Sequence, residues 1–282
     1  MLDLPNVTLC SVETRTPGLA ARAMEHSMRG VRFADALLFT GRDAGPIPAS
    51  GVRCVPVGAI STMEAYSRFI LHDLAGHIAT DFVLVVQWDG FVLDPGAWQT
   101  AFLGYDFVGA PWHWMPAHRA VGNGGFSLRS LRLLHAMRDP DMVIHHPEDV
   151  CIGQTNRQRL EQCHQIRFAP VELARSFSYE TLEPPSRTFG FHGTNNLANA
   201  IGPADMIDWA SEMTTEMAFG AGSLLLIDAL VRTGQCRAAH ILLNKRFAAG
   251  DRSWPALSLW MRLRLRQGLH RSPALQRHAH SD

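Results

Sequence analysis

Residues 81–87 read Asp-Phe-Val-Leu-Val-Val-Gln, with five apolar residues in unbroken succession. A strand with one face in water alternates polar and apolar positions. This one is apolar on both faces and so belongs at the centre of a sheet covered on both sides. The preceding segments say what kind of sheet. Residues 7–12, 34–40 and 52–57 read as strands. Thr16-Pro17 predicts a helix start, with Thr as N-cap and Pro in the first turn, and Leu19, Ala20, Ala23, Met24 and Met28 follow helical spacing. Ser61-Thr62-x-Glu64 predicts a second helix, opened by a capping-box-like signal and running to about Ile78. Strands alternating with helices through residue 90 predict βαβ units and parallel strands. Ligands of such sheets bind beyond the carboxyl ends of the strands. Glu13-Thr14-Arg15 and Trp88-Asp89-Gly90 stand at two such ends.

After Gly90 the pattern changes. A short helix is expected from Asp94-Pro95 to about Leu103, strands at 107–110, 126–128, 166–169 and 189–191, and helices over 130–137 and from Pro147 onward. From Gly202 the chain reads as helices alone, over about 204–217, 221–233, 235–248 and 254–267. The expected fold class is therefore α/β: a mixed sheet flanked by helices over residues 1–201, with an all-helical C-terminal region over 202–282.

The 282 residues are 46% hydrophobic and 18% charged, a composition that folds and that argues against disorder. The net charge is zero, so no global field favours nucleic acid, and none is expected as a partner. Lys245 is the only lysine, an arginine bias of the kind GC-rich bacterial coding produces. The N-terminus lacks the basic and apolar regions of a secretory signal. No uncharged apolar run reaches the roughly 18 residues that a membrane span needs. A cytoplasmic location is expected. Five scattered cysteines without a C-x-x-C pair predict reduced core thiols.

Four short segments carry chemistry. Asp89 follows the central strand, so its carboxylate emerges at the ligand edge, where a hard cation such as Mn²⁺ or Mg²⁺ would bind it together with diphosphate oxygens. Gly122-Asn123-Gly124-Gly125 lets the backbone approach a ligand closely, and the Asn123 amide suits sugar hydroxyls. Glu148-Asp149 opens a helix after Pro147; acids there favour the helix dipole, and one of them can also serve as general base for an attacking hydroxyl. His192, between Gly190 and Gly193, is either a satisfied core histidine or a competent Mn²⁺ ligand.

In their order, these segments resemble the inverting GT-A-fold glycosyltransferases, especially the β-1,3-glycosyl and fringe-like enzymes. Glu148-Asp149-Val150-Cys151-Ile152-Gly153 is the nearest match. The chain also resembles a largely uncharacterised bacterial glycosyltransferase-like family through Tyr66-Ser67-Arg68-Phe69, Gln87-Trp88-Asp89-Gly90 and residues 121–129, over about residues 5–195. The resemblance implies a GT-A-like (Rossmann-like) sheet and a nucleotide-sugar donor, with a UDP-sugar favoured. It implies transfer to a hydroxyl of a glycan or lipid-linked acceptor. By the same resemblance Asp149, with Glu148 beside it, is the catalytic base, and Asp89 and His192 hold the metal. Glu13, Thr14, Arg15, Ser67, Arg68 and Trp88 lie along the nucleotide and diphosphate, and Asn123, Gly124 and Gly125 face the donor sugar. Gln87 departs from the pattern, since an acid is usual there, and this puts metal dependence in question.

Two other readings remain. A nucleotidyltransferase shares the architecture and metal chemistry, but residues 13–17 do not supply its basic Gly-rich loop. A non-catalytic nucleotide- or glycan-binding module would use the acids only as helix caps. Trp112 and Trp114 are either packing residues or stacking surfaces for an acceptor sugar. From Arg252 to Ser281 the chain holds six arginines and no acid, with Trp254, Leu257, Trp260, Leu263 and Leu265 among them. Such a helix either packs on the rest of the chain or rests peripherally on an anionic membrane face.

Overall fold

The computed structural model describes residues 1–271, except 43, 45, 46, 48, 49, 59, 182, 183 and 185. It divides into two compact units, Met1–Gly193 and Thr194–Asp282.

The first unit is built on a six-stranded mixed sheet in the order β3-β2-β1-β4-β6-β5, from β1 (Leu2–Val12), β2 (Val31–Gly41), β3 (Arg53–Val57), β4 (Phe82–Val86), β5 (Phe107–Gly109) and β6 (Phe126–Ser130). The first four are parallel, as the alternation with helices predicts, and β6 runs antiparallel to both β4 and β5. β4 is the central strand expected: Val83, Leu84, Val85 and Val86 are fully buried. Leu84 and Val86 enter one hydrophobic cluster with Leu9, Phe126 and Leu128, while Val83 and Val85 enter another with Leu37, Phe39 and Ile70.

Helix α1 (Pro17–Met28) buries Leu19, Ala20, Ala23 and Met24. Thr16 is its N-cap residue and Pro17 lies in the first turn, as expected, although the Thr16 side chain makes no capping hydrogen bond. Glu13 shapes the turn ahead of α1, its Oε1 accepting from the backbone N–H groups of Arg15 (2.7 Å) and Thr16 (3.0 Å). Helix α2 (Met63–Arg68) is capped by Thr62, which accepts from the Ala65 N–H, and continues through a π turn and a 3₁₀ turn to His77. The helix expected over 94–103 is instead two 3₁₀ turns, Pro95–Ala97 and Thr100–Gly104. The strand expected at 166–169 reduces to a single bridge between Phe107 and Phe168. Four helices complete this part: α3 (Leu131–Ala136), α4 (Glu148–Val150), α5 (Arg157–Cys163) and α6 (Val171–Phe177). Strands β7 (Ser178–Tyr179) and β8 (Gly190–Phe191) pair in parallel apart from the main sheet.

The second unit contains α7 (Leu197–Ala200), α8 (Pro203–Glu212), α9 (Thr215–Phe219), α10 (Ala221–Thr233), α11 (Cys236–Ala248) and α12 (Trp254–Arg271). The single helix expected over 204–217 is broken at Met213-Thr214, where Thr214 accepts from the Met217 N–H and starts α9. The sole lysine has a structural task. Lys245 Nζ donates to the carbonyls of Ala210, Ser211 and Met213, satisfying the orphan acceptors at the end of α8. Cys54 and Cys163 are exposed, which corrects the expectation of core thiols; Cys10 and Cys151 are buried as expected. No described helix is long and apolar enough to cross a membrane.

Candidate active site

Because β6 is antiparallel to β4 with Val86 opposite Phe126, the residues entering β6 stand beside those leaving β4. The ladder continues one step further, with Gln87 N–H donating to the Gly125 carbonyl at 2.9 Å. Gly124-Gly125 is therefore placed next to Gln87-Trp88-Asp89 at the carboxyl edge of β4. The β7–β8 pair brings a third segment there. Tyr179 is opposite Phe191, so the next residues, Glu180 and His192, also meet, and the His192 N–H donates to the Tyr179 carbonyl at 2.9 Å.

His192 sits within a ring of oxygen atoms. Its Nδ1 is 3.0 Å from Glu180 Oε1, and its Nε2 is 3.2 Å from Gln87 Oε1 and 3.5 Å from Asp89 Oδ1. The Gln87 amide is oriented from behind, where its Nε2 donates to the Tyr66 hydroxyl at 3.0 Å. Burial alone would keep the imidazole neutral, but the Asp89 and Glu180 carboxylates outweigh it and push the ring up to about 10. Two glycines make room for it. A Cβ on Gly125 would lie 2.1 Å from His192 Nε2, and one on Gly90 would lie 2.8 Å from the Phe191 carbonyl oxygen.

Gly124 faces the acids. A Cβ there would lie 2.5 Å from Glu148 Oε1 and 2.9 Å from Asp149 Cβ. Its N–H donates to Asp149 Oδ2 at 3.2 Å. The two acids have separate roles. Glu148 is buried and paired with the buried Arg129, Nη2 to Oε1 at 3.2 Å. Asp149 is half-buried, and burial together with the neighbouring Glu148 charge pushes its carboxyl up to about 6. That is the range of a general base working near neutrality. Glu148 is thus engaged by the fold, and Asp149 is the acid left with chemical capacity.

The other residues expected along the donor are partly occupied. Glu13 accepts from the N–H groups of Arg15 and Thr16 in the turn before α1, and the Thr14 hydroxyl donates to the Ile60 carbonyl at 2.7 Å. Ser67 is buried, with Oγ 2.9 Å from His146 Nδ1. Arg15 and Arg68 are exposed at this edge, and Arg68 lines a cleft of about 440 Å³ with Gly58, Ile60 and His77. Trp88 is half-buried. Asn123 is buried and turns inward, its Oδ1 accepting from the Gly125 N–H at 3.2 Å, so it shapes the glycine pair. Asp106 belongs to the far edge of the sheet. A cleft of about 1030 Å³ opens there, lined by Asp81, Tyr105, Asp106, Arg132 and Arg167 and by none of the expected site residues.

Glu180 is a site residue that sequence reasoning missed. It lies in no motif, and its position beside His192 comes entirely from the β7–β8 register. Arg129 and Tyr66 stood inside motifs without assigned roles, since neither a buried ion pair nor a buried hydroxyl leaves a mark at one position.

The donor set fits a divalent cation. Two donors held cis at about 2.1 Å from one ion lie about 3 Å apart. The 3.2 and 3.5 Å separations around His192 Nε2 are close to that. Glu180 on Nδ1 is the carboxylate–histidine arrangement that orients a ligand ring. Among the described residues no group of three or more His, Cys, Asp or Glu is arranged to hold a metal ion. The Gln87 amide oxygen and substrate oxygens would complete the shell.

Among solved structures, the chain is similar to the galactosyltransferase LgtC in complex with donor and acceptor sugar analogues, at 12% identity over 66% of this chain and 86% of that one, with a TM-score of 0.37. It is also similar to a glycosyltransferase involved in glycosylation of the major capsid of PBCV-1, at 11% identity over 66% and 91%, with a TM-score of 0.39. No curated protein matches the sequence. The model of the family described as "Protein of unknown function (DUF5672)" matches residues 50–192, from just before β3 to His192. That span takes in Tyr66, Gln87, Asp89, the glycine pair, Arg129, Glu148, Asp149 and Glu180, and the chain belongs to this family.

Proposed function

We propose that the chain is a nucleotide-sugar-dependent glycosyltransferase acting with inversion on a hydroxyl of a glycan or glycoconjugate. One observation carries the reading: Gly124 touches the raised-pKa carboxylate of Asp149, while Gly125 touches His192 between Asp89 and Glu180. A base and a site that gathers positive charge therefore flank one glycine pair. A single displacement at a sugar carbon needs these two functions side by side. Asp149 takes the proton of the acceptor hydroxyl. Asp89 and His192 would hold the divalent cation, which when bound supplies Lewis-acid charge to a leaving diphosphate. Glu180 and Gln87 orient His192, and the Arg129–Glu148 pair keeps a negative charge beside Asp149. The nucleotide, with a UDP-sugar favoured, lies along the ends of β1 and β3 near Glu13, Thr14, Arg15, Ser67 and Arg68.

Calorimetric titration of nucleoside diphosphates and their sugars, with and without Mn²⁺, tests the donor site. Asp149→Asn is expected to bind nucleotide and lose turnover, whereas Asp89→Ala and His192→Ala lose metal-dependent nucleotide binding. Full turnover in Asp149→Asn removes the base. Binding without turnover of any nucleotide sugar favours the binding-module alternative.

The second unit supports a lipid-linked acceptor. Helix α12 buries Ala256, Leu259 and Leu263, while Trp254, Leu257, Met261 and Leu265 are exposed at helical spacing on the opposite face. Arg264 flanks that outer stripe, Arg262 on its other side is paired with Asp228 at 2.6 Å, and no acid occurs between Arg252 and Arg271. We infer that this face rests on an anionic membrane surface. The rest of the Arg-rich stretch, from residue 272, lies outside the described residues. Sedimentation with phosphatidylglycerol vesicles should pellet the chain and spare a Trp254→Ser/Leu265→Ser variant; equal pelleting of the two rejects the contact.

A further inference from the structure

The two tryptophans of the 112–114 segment divide between packing and exposure. Trp112 is buried, and its ring is seated on two glycines: a Cβ on Gly122 would lie 2.2 Å from it, and one on Gly153 would lie 3.2 Å away. Trp114 is 57% exposed and stacks on Trp112, with ring centroids 5.6 Å apart and planes 25° from parallel. A lone exposed aromatic ring is ordinary. This one is held at its base and along one edge. Pro111 and Val121 bridge across the base of the segment, and the Trp112 N–H donates to the Ala120 carbonyl at 2.7 Å. The His113 ring meets Trp114 edge-on at 5.0 Å, and its Nδ1 is 3.0 Å from the Thr181 hydroxyl. Arg119 and Gln154 exchange side-chain-to-carbonyl hydrogen bonds at 2.9 and 3.1 Å.

These ties fix where the exposed ring stands. Gly122 is two residues from Gly124, whose N–H meets Asp149, and Gly153 is four residues beyond Asp149. Thr181 follows Glu180, the partner of His192. The stack is therefore tied on one side, through Trp112, to the glycine segment and the helix that carry Gly124 and Asp149, and on the other, through His113, to the residue after Glu180. Asp149 receives a proton from the acceptor, so groups on this side face the acceptor more than the donor. A rigid exposed indole offers a flat apolar surface with little conformational entropy to lose, which suits the C–H face of a pyranose ring.

We propose that Trp114 is the platform on which the acceptor's sugar ring stacks, with Trp112 as its support; this rests on the transferase reading above. Two measurements separate the two claims. Release of nucleoside diphosphate from nucleotide sugars by the full chain tests the transferase reading without any acceptor. Saturation-transfer NMR with methyl β-glycosides of glucose, galactose and N-acetylglucosamine tests the platform without any donor. Transfer to protons of one face of the sugar ring is expected in the wild type, lost in Trp114→Ala and largely restored in Trp114→Phe. With an acceptor identified, Trp114→Ala should raise its KM about five- to tenfold, with the donor KM changed less than twofold. No saturation transfer in the wild type, or equal transfer in Trp114→Ala, overturns the platform. Ring contact that depends on Trp114, in a chain that turns over no nucleotide sugar, keeps the platform and discards the transferase.

Discussion

Asp149 and Asp106 lie at opposite edges of one sheet, and each stands near an arginine, but their surroundings differ. Asp106 is met by donors on both oxygens: the Ser130 hydroxyl at 2.7 Å, the Arg132 guanidinium, and the Arg167 N–H at 2.8 Å. Burial works against its charge, yet these donors outweigh it and hold the carboxyl below its ordinary value. Asp149 accepts two backbone N–H bonds, but the nearest arginine is spent on Glu148, whose charge adds to burial and raises Asp149 to about 6. A carboxylate supplied with cations and hydroxyls holds structure together. One crowded by a like charge is ready to take a proton.

Substitutions can break this contrast, beginning with the largest effect. Asp149→Asn is expected to lower transfer about 10²- to 10⁴-fold, read as kcat on any substrate that turns over. Next, Arg129→Met strands the buried Glu148 charge and should cost about 3–5 kcal/mol in denaturant unfolding. Adding Glu148→Gln to that variant should recover part of the loss. Third, Asp106→Asn should cost about 1.5–3 kcal/mol, the scale of hydrogen bonds to a charged group, with nucleotide binding retained. A variant that loses nucleotide binding without losing stability would show that the far edge is not merely structural.

The smallest effects are those of pH. Asp149 must be ionised to act, so turnover should rise as pH increases through about 6 and level off above it. The effect on stability has the opposite sense. Its folded value lies above the unfolded 3.8, so ionising Asp149 costs folding free energy, a cost absent below about 3.8 and complete above about 6. Asp149→Asn should therefore gain stability relative to wild type at pH 7 and not at pH 3. Asp106 behaves conversely: its contribution is present above the unfolded value and is lost as pH falls. Urea titrations of both variants at the two pH values read the difference directly.

Much of the frame was legible along the chain because it depends on local pattern. Five successive apolar residues, too few for a helix and bounded by Asp81 and Gln87, read as a covered strand, and β4 is one. The alternation with helices foretold the parallel half, and Ser61-Thr62-x-Glu64 marked the start of α2. Errors arose where local signals were short or shared. Asp94-Pro95 began only a 3₁₀ turn, and residues 166–169 read as a strand but make one bridge. At the site, Asp89, Asp149, His192 and the glycines were visible as residue types, while their partners were not.

Sequence alone determined the parallel half of the sheet, its central strand and the helices between, and which residue types stand at strand ends, because backbone propensity and apolar period are written in neighbouring positions. Tertiary structure decided what those residues meet. The glycines read as gaps for a ligand make room for His192, Glu148 and Trp112, since the space left by an absent Cβ is filled by whatever the fold brings near it. Glu180 reaches His192 only through a two-residue parallel pairing, and Arg129 selects Glu148 over Asp149 only through burial. Pairing register and burial arise between segments distant along the chain, so they enter only once those segments are packed together.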